Sequence, residues 1–429
     1  MLITRIKFYK NELLIAICIF IPIFVKLTHF GERNYRTVIF FLLFYLFIRF
    51  INTDYKNIFV YNKINNLILF NKLLITIITF HIILEYNRFF YILDRSFLQL
   101  AIPAFSLLLI GNIANKDIKK IKISMEKLFF IIGIIFIIQL TISCIESYYG
   151  TPFINYGYTT YNSIDINTIL FNKRSILGVF GIDLPFKFPI SMLIGQWNWS
   201  APLLVFYNLI FITMFKNSKS FYYGILCIAV LFAALINTTR AAIISIVITD
   251  LIVLFVMNER VKIKKFLILI LTIYTGSITY NSIVSYFYRT DTLSSRFNYY
   301  SAYVDIFFNH FVETIFGYGL IDGAKIGAIG RSSAGYGGGS FESFFFSFLF
   351  QYGLVSLLIF CIFLISIFRK GYYENTHKYL YYLLVLNILG VSLTIGGILS
   401  LYAYSMFTIY YIYLSVISHQ NIPQIKSNN

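Results

Sequence analysis

Charge is scarce in this chain. Lys, Arg, Asp and Glu supply 12% of its 429 residues, whereas 59% are hydrophobic and the mean hydropathy is +0.76. A water-soluble domain of that composition would expose large apolar patches, so the composition excludes one and makes the bilayer the solvent. The strict alternation over about ten positions that marks a membrane β-strand is also lacking, and unbroken runs such as Leu128 to Ile145 stand in its place. Hydrocarbon offers no partner for backbone N–H and C=O groups, so such runs predict helices.

Cysteine is equally sparse. Cys18, Cys144, Cys227 and Cys361 fall within or at the ends of apolar runs, without ligand-like spacing, so neither a disulfide nor a metal site is expected. The absence of a GxxxxGK[ST] phosphate loop argues against nucleotide hydrolysis. No external carboxylates stand in the DxD spacing that would hold a divalent ion on a diphosphate. An external phosphate would have to be bound by arginines, whose planar forks suit its geometry.

What is present is hydrophobic length. Windows of about twenty residues place spans near 13–25, 37–51, 67–84, 97–113, 128–145, 190–215, 221–236, 241–257, 266–284, 343–368, 379–395 and 401–417. The expected fold is an all-α polytopic membrane protein with about twelve transmembrane helices, residues 1–429 forming a single integral membrane domain. The formal net charge of +17 is mostly a topology signal. Lys116, Lys119, Lys120, Lys122 and Arg260, Lys262, Lys264, Lys265 fall on one side, which the positive-inside rule makes cytoplasmic, together with both termini. Nucleic acid is therefore not an expected partner. The first span has no small-residue cleavage site after it and reads as a retained anchor. Lys72 and Asp250 lie within about two turns of the cytoplasmic ends of their spans, where they can reach water, and receive no role.

Most connections are short, which leaves two external loops, about 146–189 and 285–342, with room for chemistry. In the second, Ser294-Ser295-Arg296 can open a helix that continues with Phe297, Tyr300, Val304, Phe307, Phe308 and Phe311 at helical spacing. That pattern suits a helix lying on the outer membrane surface, with Arg296 in its first turn. Phe316-Gly317-Tyr318-Gly319 follows as a tight turn, then a glycine-rich stretch able to close over a site, or a simple loop tip. Ser340-Phe341-Glu342-Ser343 leads into a long aromatic span, with Ser340 a fair N-cap and Glu342 in the first turn, where a carboxylate is also a routine helix-dipole partner. Arg240, in the short hairpin Asn237-Thr238-Thr239-Arg240, sits at the outer membrane boundary, where snorkelling alone would also put it. In the first loop Lys173-Arg174 precedes Gly178 and Gly181, and Trp197 and Trp199 open the sixth span as interfacial belt residues.

In their order, Arg240 opening a span, Arg296 opening an aromatic helix, the FGYG turn at Phe316 and SFES leading into FQYGLVSLL at Phe350 resemble the O-antigen polymerase and ligase superfamily. The closest likeness is to the Wzy-type polymerases. Ligases more typically carry a His-Asn pair where this chain has Glu342-Ser343. The resemblance covers roughly residues 174–358. It implies a GT-C-like helical bundle in the bacterial inner membrane, and a metal-independent glycosyl transfer on the outer face that needs no cofactor. The substrate so implied is a glycan on undecaprenyl diphosphate, transferred onto a lipid-linked repeat unit, with membrane lipid and a chain-length regulator as further partners. On this resemblance Glu342 serves as the base and Arg296 and Arg240 hold the diphosphate. Arg174 helps to hold glycan, and Gly317, Tyr318 and Gly319 line the substrate site. The alternatives are an O-antigen ligase of the same superfamily, using the same donor, and a flippase or transporter of lipid-linked oligosaccharide.

Overall fold

The computed structural model describes residues 10–27, 41–45, 47–48, 58–84, 89–114, 118–150, 185–187, 189–190, 192–193, 197–237, 239–256, 290–319, 326, 343–374, 377–394 and 401–420. All regular structure among them is helical. The elements are α1 (Lys10–Leu27), α2 (Ile58–Leu84), α3 (Phe89–Ala114), α4 (Ile118–Tyr149), α5 (Trp197–Ser218), α6 (Phe221–Asn237) and α7 (Arg240–Leu251). A π-helical turn, Ile252–Val256, continues α7. Then come α8 (Thr290–Asn309), α9 (Phe311–Phe316), α10 (Phe344–Tyr373), α11 (Lys378–Thr394) and α12 (Leu401–Gln420).

Three described helices are long and apolar enough to cross a membrane: Asn62–Leu84, Ile118–Tyr149 and Phe344–Tyr373. Gln99–Ile113, Phe221–Asn237 and Lys378–Ser392 are shorter apolar helices. Among the described residues the protein is thus all helical in its regular structure, with helices of membrane-spanning character. The span expected at 266–284 and most of the first external loop lie outside the described residues.

Backbone contacts divide the chain into two compact units. The first comprises Met1–Ile135, Ser356–Asn387 and Leu399–Asn429. Here α12 packs on α1, α2 and α3. Lipid tails are as apolar as leucine, so helices in a bilayer associate through close packing and interhelical hydrogen bonds. Both occur in this unit. Phe70 of α2 stacks on Phe363 of α10 with centroids 4.3 Å apart, Tyr404 donates to Asn71 Oδ1 at 3.1 Å, and the hydroxyls of Ser106 and Thr408 lie 3.2 Å apart. Lys370 donates to the Lys63 carbonyl at 2.8 Å and to Ser415 Oγ at 2.7 Å, with its ammonium over the rings of Tyr411 and Tyr381.

The second unit comprises Phe136–Val355 and Ile388–Ile398. Its α5, α6 and α7 pack on one another. Tyr207 of α5 donates to Gln139 Oε1 at 2.7 Å, and Gln139 in turn donates to the Met192 carbonyl at 3.4 Å. A second cluster joins α8 to the opening turns of α10. Tyr303 and Phe350 are its fully buried members, with Tyr300, Phe307, Tyr318 and Phe346 around them.

Candidate functional site

Two places in the second unit carry the described part of the predicted site. The first is the FGYG turn. The short helix α9 ends at Phe316, and Gly317 turns the chain with φ +84°, a conformation that suits glycine because it lacks Cβ. A Cβ on Gly317 would lie 2.5 Å from the backbone nitrogen of Gly353, and one on Gly353 would meet the Ile315 carbonyl oxygen. Gly353 itself has φ +88° and interrupts α10 within its membrane-spanning stretch. The Tyr318 N–H donates to the Phe350 carbonyl at 2.8 Å across the same crossing. The turn is therefore pressed backbone to backbone into a broken span. Non-helical backbone at membrane depth is tolerated where protein buries it or where it lines a water-filled cavity.

Tyr318 packs on Phe350 and lies outside the spans. Burial, aided by the Glu313 carboxylate and opposed by the Thr314 hydroxyl, holds its phenol above the usual tyrosine range. It remains a protonated hydrogen-bond donor at neutral pH. Gly317 and Tyr318 are thus brought against α10, and Gly319 follows them with φ +82°.

The second place is the hairpin before Arg240. Arg240 is the first residue of α7, partly exposed, with Thr239 in an extended conformation at the N-cap. The N–H groups of Ala242 and Ile243 both return to the Thr239 carbonyl, at 3.0 and 3.2 Å. An arginine at this position adds its charge to the positive end of the helix dipole, a setting that favours an anion. Asn237 fixes the approach. Fully buried, it donates to the Ile190 carbonyl at 2.7 Å and to Ser200 Oγ at 2.8 Å, and its own oxygen accepts from Thr239 Oγ1 at 2.5 Å. The segment it grips is unusual. Met192 and Leu193 are fully buried and both lie in the left-handed region, φ 53° and 60°, which costs a non-glycine residue about 1–2 kcal/mol each.

The aromatic helix expected in the second loop is present as α8, but it opens at Thr290 and not at Ser294. Arg296 consequently belongs to the second turn; its side chain lies outside the described residues. Of the expected apolar face, Tyr300 and Phe307 pack inward while Val304, Phe308 and Phe311 are exposed. Tyr303, the buried centre of that packing, was not singled out by the spacing, although it stands one turn from Tyr300 and from Phe307. Ser343 takes the N-cap position of α10, its carbonyl accepting from the Ser347 N–H at 3.1 Å and its hydroxyl donating to the Ser392 carbonyl at 3.3 Å. Glu342 and Arg174 lie outside the described residues, as do residues 327–342 of the glycine-rich stretch.

Sequence reading also gave no role to Gly353, Asn237 and Gln139. A lone glycine within an apolar helical run is a signal for a kink or a close backbone approach. Buried amides in spans are signals for interhelical ties. Compared with known proteins, the chain matches no family model, no curated protein and no solved structure.

Proposed function

We propose that this chain is a polysaccharide polymerase of the cytoplasmic membrane, transferring a growing glycan from undecaprenyl diphosphate onto a lipid-linked repeat unit at the outer face. The ordered motif series supports this reading. The observation that carries it is the FGYG turn packed into a broken membrane span at Gly353, which ties two members of that series, the turn and FQYGLVSLL, into one piece of structure.

The chemistry follows from the residue types. A sugar hydroxyl of the acceptor attacks the anomeric carbon of the donor, the bond from that carbon to the diphosphate oxygen breaks, and the electron pair leaves with the lipid diphosphate. Arg240 and Arg296 neutralise that leaving group, with the N-terminus of α7 adding its dipole. Glu342 accepts the proton released by the hydroxyl. Arg174 holds glycan, and the Tyr318 phenol offers a further donor beside the turn.

A second reading, a transporter of lipid-linked oligosaccharide, is favoured by the same interrupted span, since transporters build sites from discontinuous helices. The ligase alternative differs only in its acceptor.

The test uses a host lacking its own polymerase. Arg240→Ala, Arg296→Ala and Glu342→Gln, each at normal protein level, should reduce long-chain glycan at least tenfold on gels, leaving single repeat units on the outer face. Normal ladders from all three would remove the site assignment, and repeat units trapped inside would favour transport. Cysteine labelling of intact cells supplies the second arm: residues 294–343 should react from outside, and labelling only after lysis would end the proposal.

A further inference from the structure

Inside the second unit, the acidic side chain of α7 is left unused by the reaction. Asp250 stands ten residues into the helix that Arg240 opens, about 15 Å along its axis, half the thickness of a hydrocarbon core. Such a carboxyl group is costly at that depth unless it is paired, hydrogen-bonded or neutral. Its described partner is neutral. Asn208 of α5 donates from Nδ2 to Asp250 Oδ1 at 2.8 Å.

The other half of the same amide is the telling atom. Asn208 is fully buried, and its Oδ1 has no hydrogen-bond partner. A buried amide oxygen without a donor has lost its hydration with nothing in exchange. An ionised Asp250 cannot relieve it, because a carboxylate only accepts. A protonated Asp250 can. Its O–H would donate to Asn208 Oδ1 while Asn208 Nδ2 donates to the acid's carbonyl oxygen, closing the reciprocal ring that a carboxylic acid and a primary amide form. One added proton would then satisfy the orphaned oxygen and remove a charge from the span. Among the described residues no ion competes for the carboxyl group. From α6, Cys227 lies buried within electrostatic reach of the carboxyl, and the π-helical turn that follows, Ile252–Val256, is apolar throughout.

We infer that Asp250 and Asn208 form a proton-binding site among α5, α6 and α7, occupied when Asp250 is the neutral acid paired with the Asn208 amide. The proton comes from water and returns to it; no other bond is made or broken. The π-helical turn directly beyond Asp250 gives the site a mechanical connection, because wider i→i+5 turns within α-helices recur at functional positions. The site does not depend on the polymerase reading.

Infrared spectroscopy of the full chain in lipid nanodiscs, without substrate, tests it. At mildly acid pH the wild type should show the C=O stretch of a protonated carboxyl group that moves in heavy water, and the band should fade as the pH rises. The band should vanish in Asp250→Asn, which can form an equivalent amide pair and so keeps its fold. In Asn208→Leu the band should move to higher wavenumber, because the acid loses its acceptor, and in Cys227→Ala it should stay where it is. A wild-type spectrum without an Asp250-dependent band from mildly acid to mildly alkaline pH would overturn the inference. So would a band unmoved by Asn208→Leu. Glycan ladders from the same variants report on the polymerase reading separately, since the spectrum requires no turnover.

Discussion

Fully buried Asn237 stands three residues before Arg240. Its amide holds the Ile190 carbonyl and Ser200 Oγ, and its oxygen receives Thr239, the residue immediately before Arg240, with which α7 begins. Asn237→Leu keeps the volume and removes these bonds, leaving a buried carbonyl without its donor at a cost of about 1–3 kcal/mol. The expected result is a lower Tm for the purified protein and a loss of long-chain glycan close to that of Arg240→Ala. An unchanged ladder would show that Arg240 does not need this support. The sequence displays the Asn-Thr-Thr-Arg hairpin openly, and its place between two apolar runs is legible. Which backbone carbonyl the amide would grip was not legible, because Ile190 is distant in the chain and its segment follows no periodic pattern.

The crossing of Gly317 and Gly353 belongs to the scale of elements. Each backbone occupies the space that the other's side chain would need, and both have positive φ. Replacing either by alanine should destabilise by at least about 1–3 kcal/mol and abolish polymer formation. Because the two changes remove the same contact, the double variant should lose less than the sum of the singles, measured as unfolding free energies in a double-mutant cycle. Additive losses would mean that the crossing is not a mutual constraint. The helix at Leu128 to Ile145 was readable from hydrophobic length alone and lies inside α4, whereas the span expected from Ile190 becomes helical only at Trp197, after the left-handed Met192 and Leu193. Hydropathy could not reveal the interruption of α10, since Gly353 is flanked by apolar residues on both sides and the run scores as continuous. For α8, helical spacing identified Tyr300 and Phe307 correctly but could not distinguish packing against α10 from contact with lipid, because both reward the same aromatic residues.

At the scale of the whole molecule, the first unit depends on its last helix. Tyr404, Thr408, Ser415 and Ser418 of α12 bond respectively to Asn71, Ser106, Lys370 and Tyr381, residues drawn from α2, α3, α10 and α11. Among these the Lys370 ammonium is the sharpest case, since its acceptors, the Lys63 carbonyl and Ser415 Oγ, come from α2 and α12. A nascent chain must therefore wait until α12 has been synthesised before the half-buried Lys370 side chain acquires its full set of neighbours. Until then the ribosome holds out an unfinished product that quality-control proteases can sample. A chain stopped after Ser400 keeps every candidate site residue, yet should fail to accumulate on immunoblots of an amino-terminal tag; wild-type abundance would show that the earlier helices mature on their own.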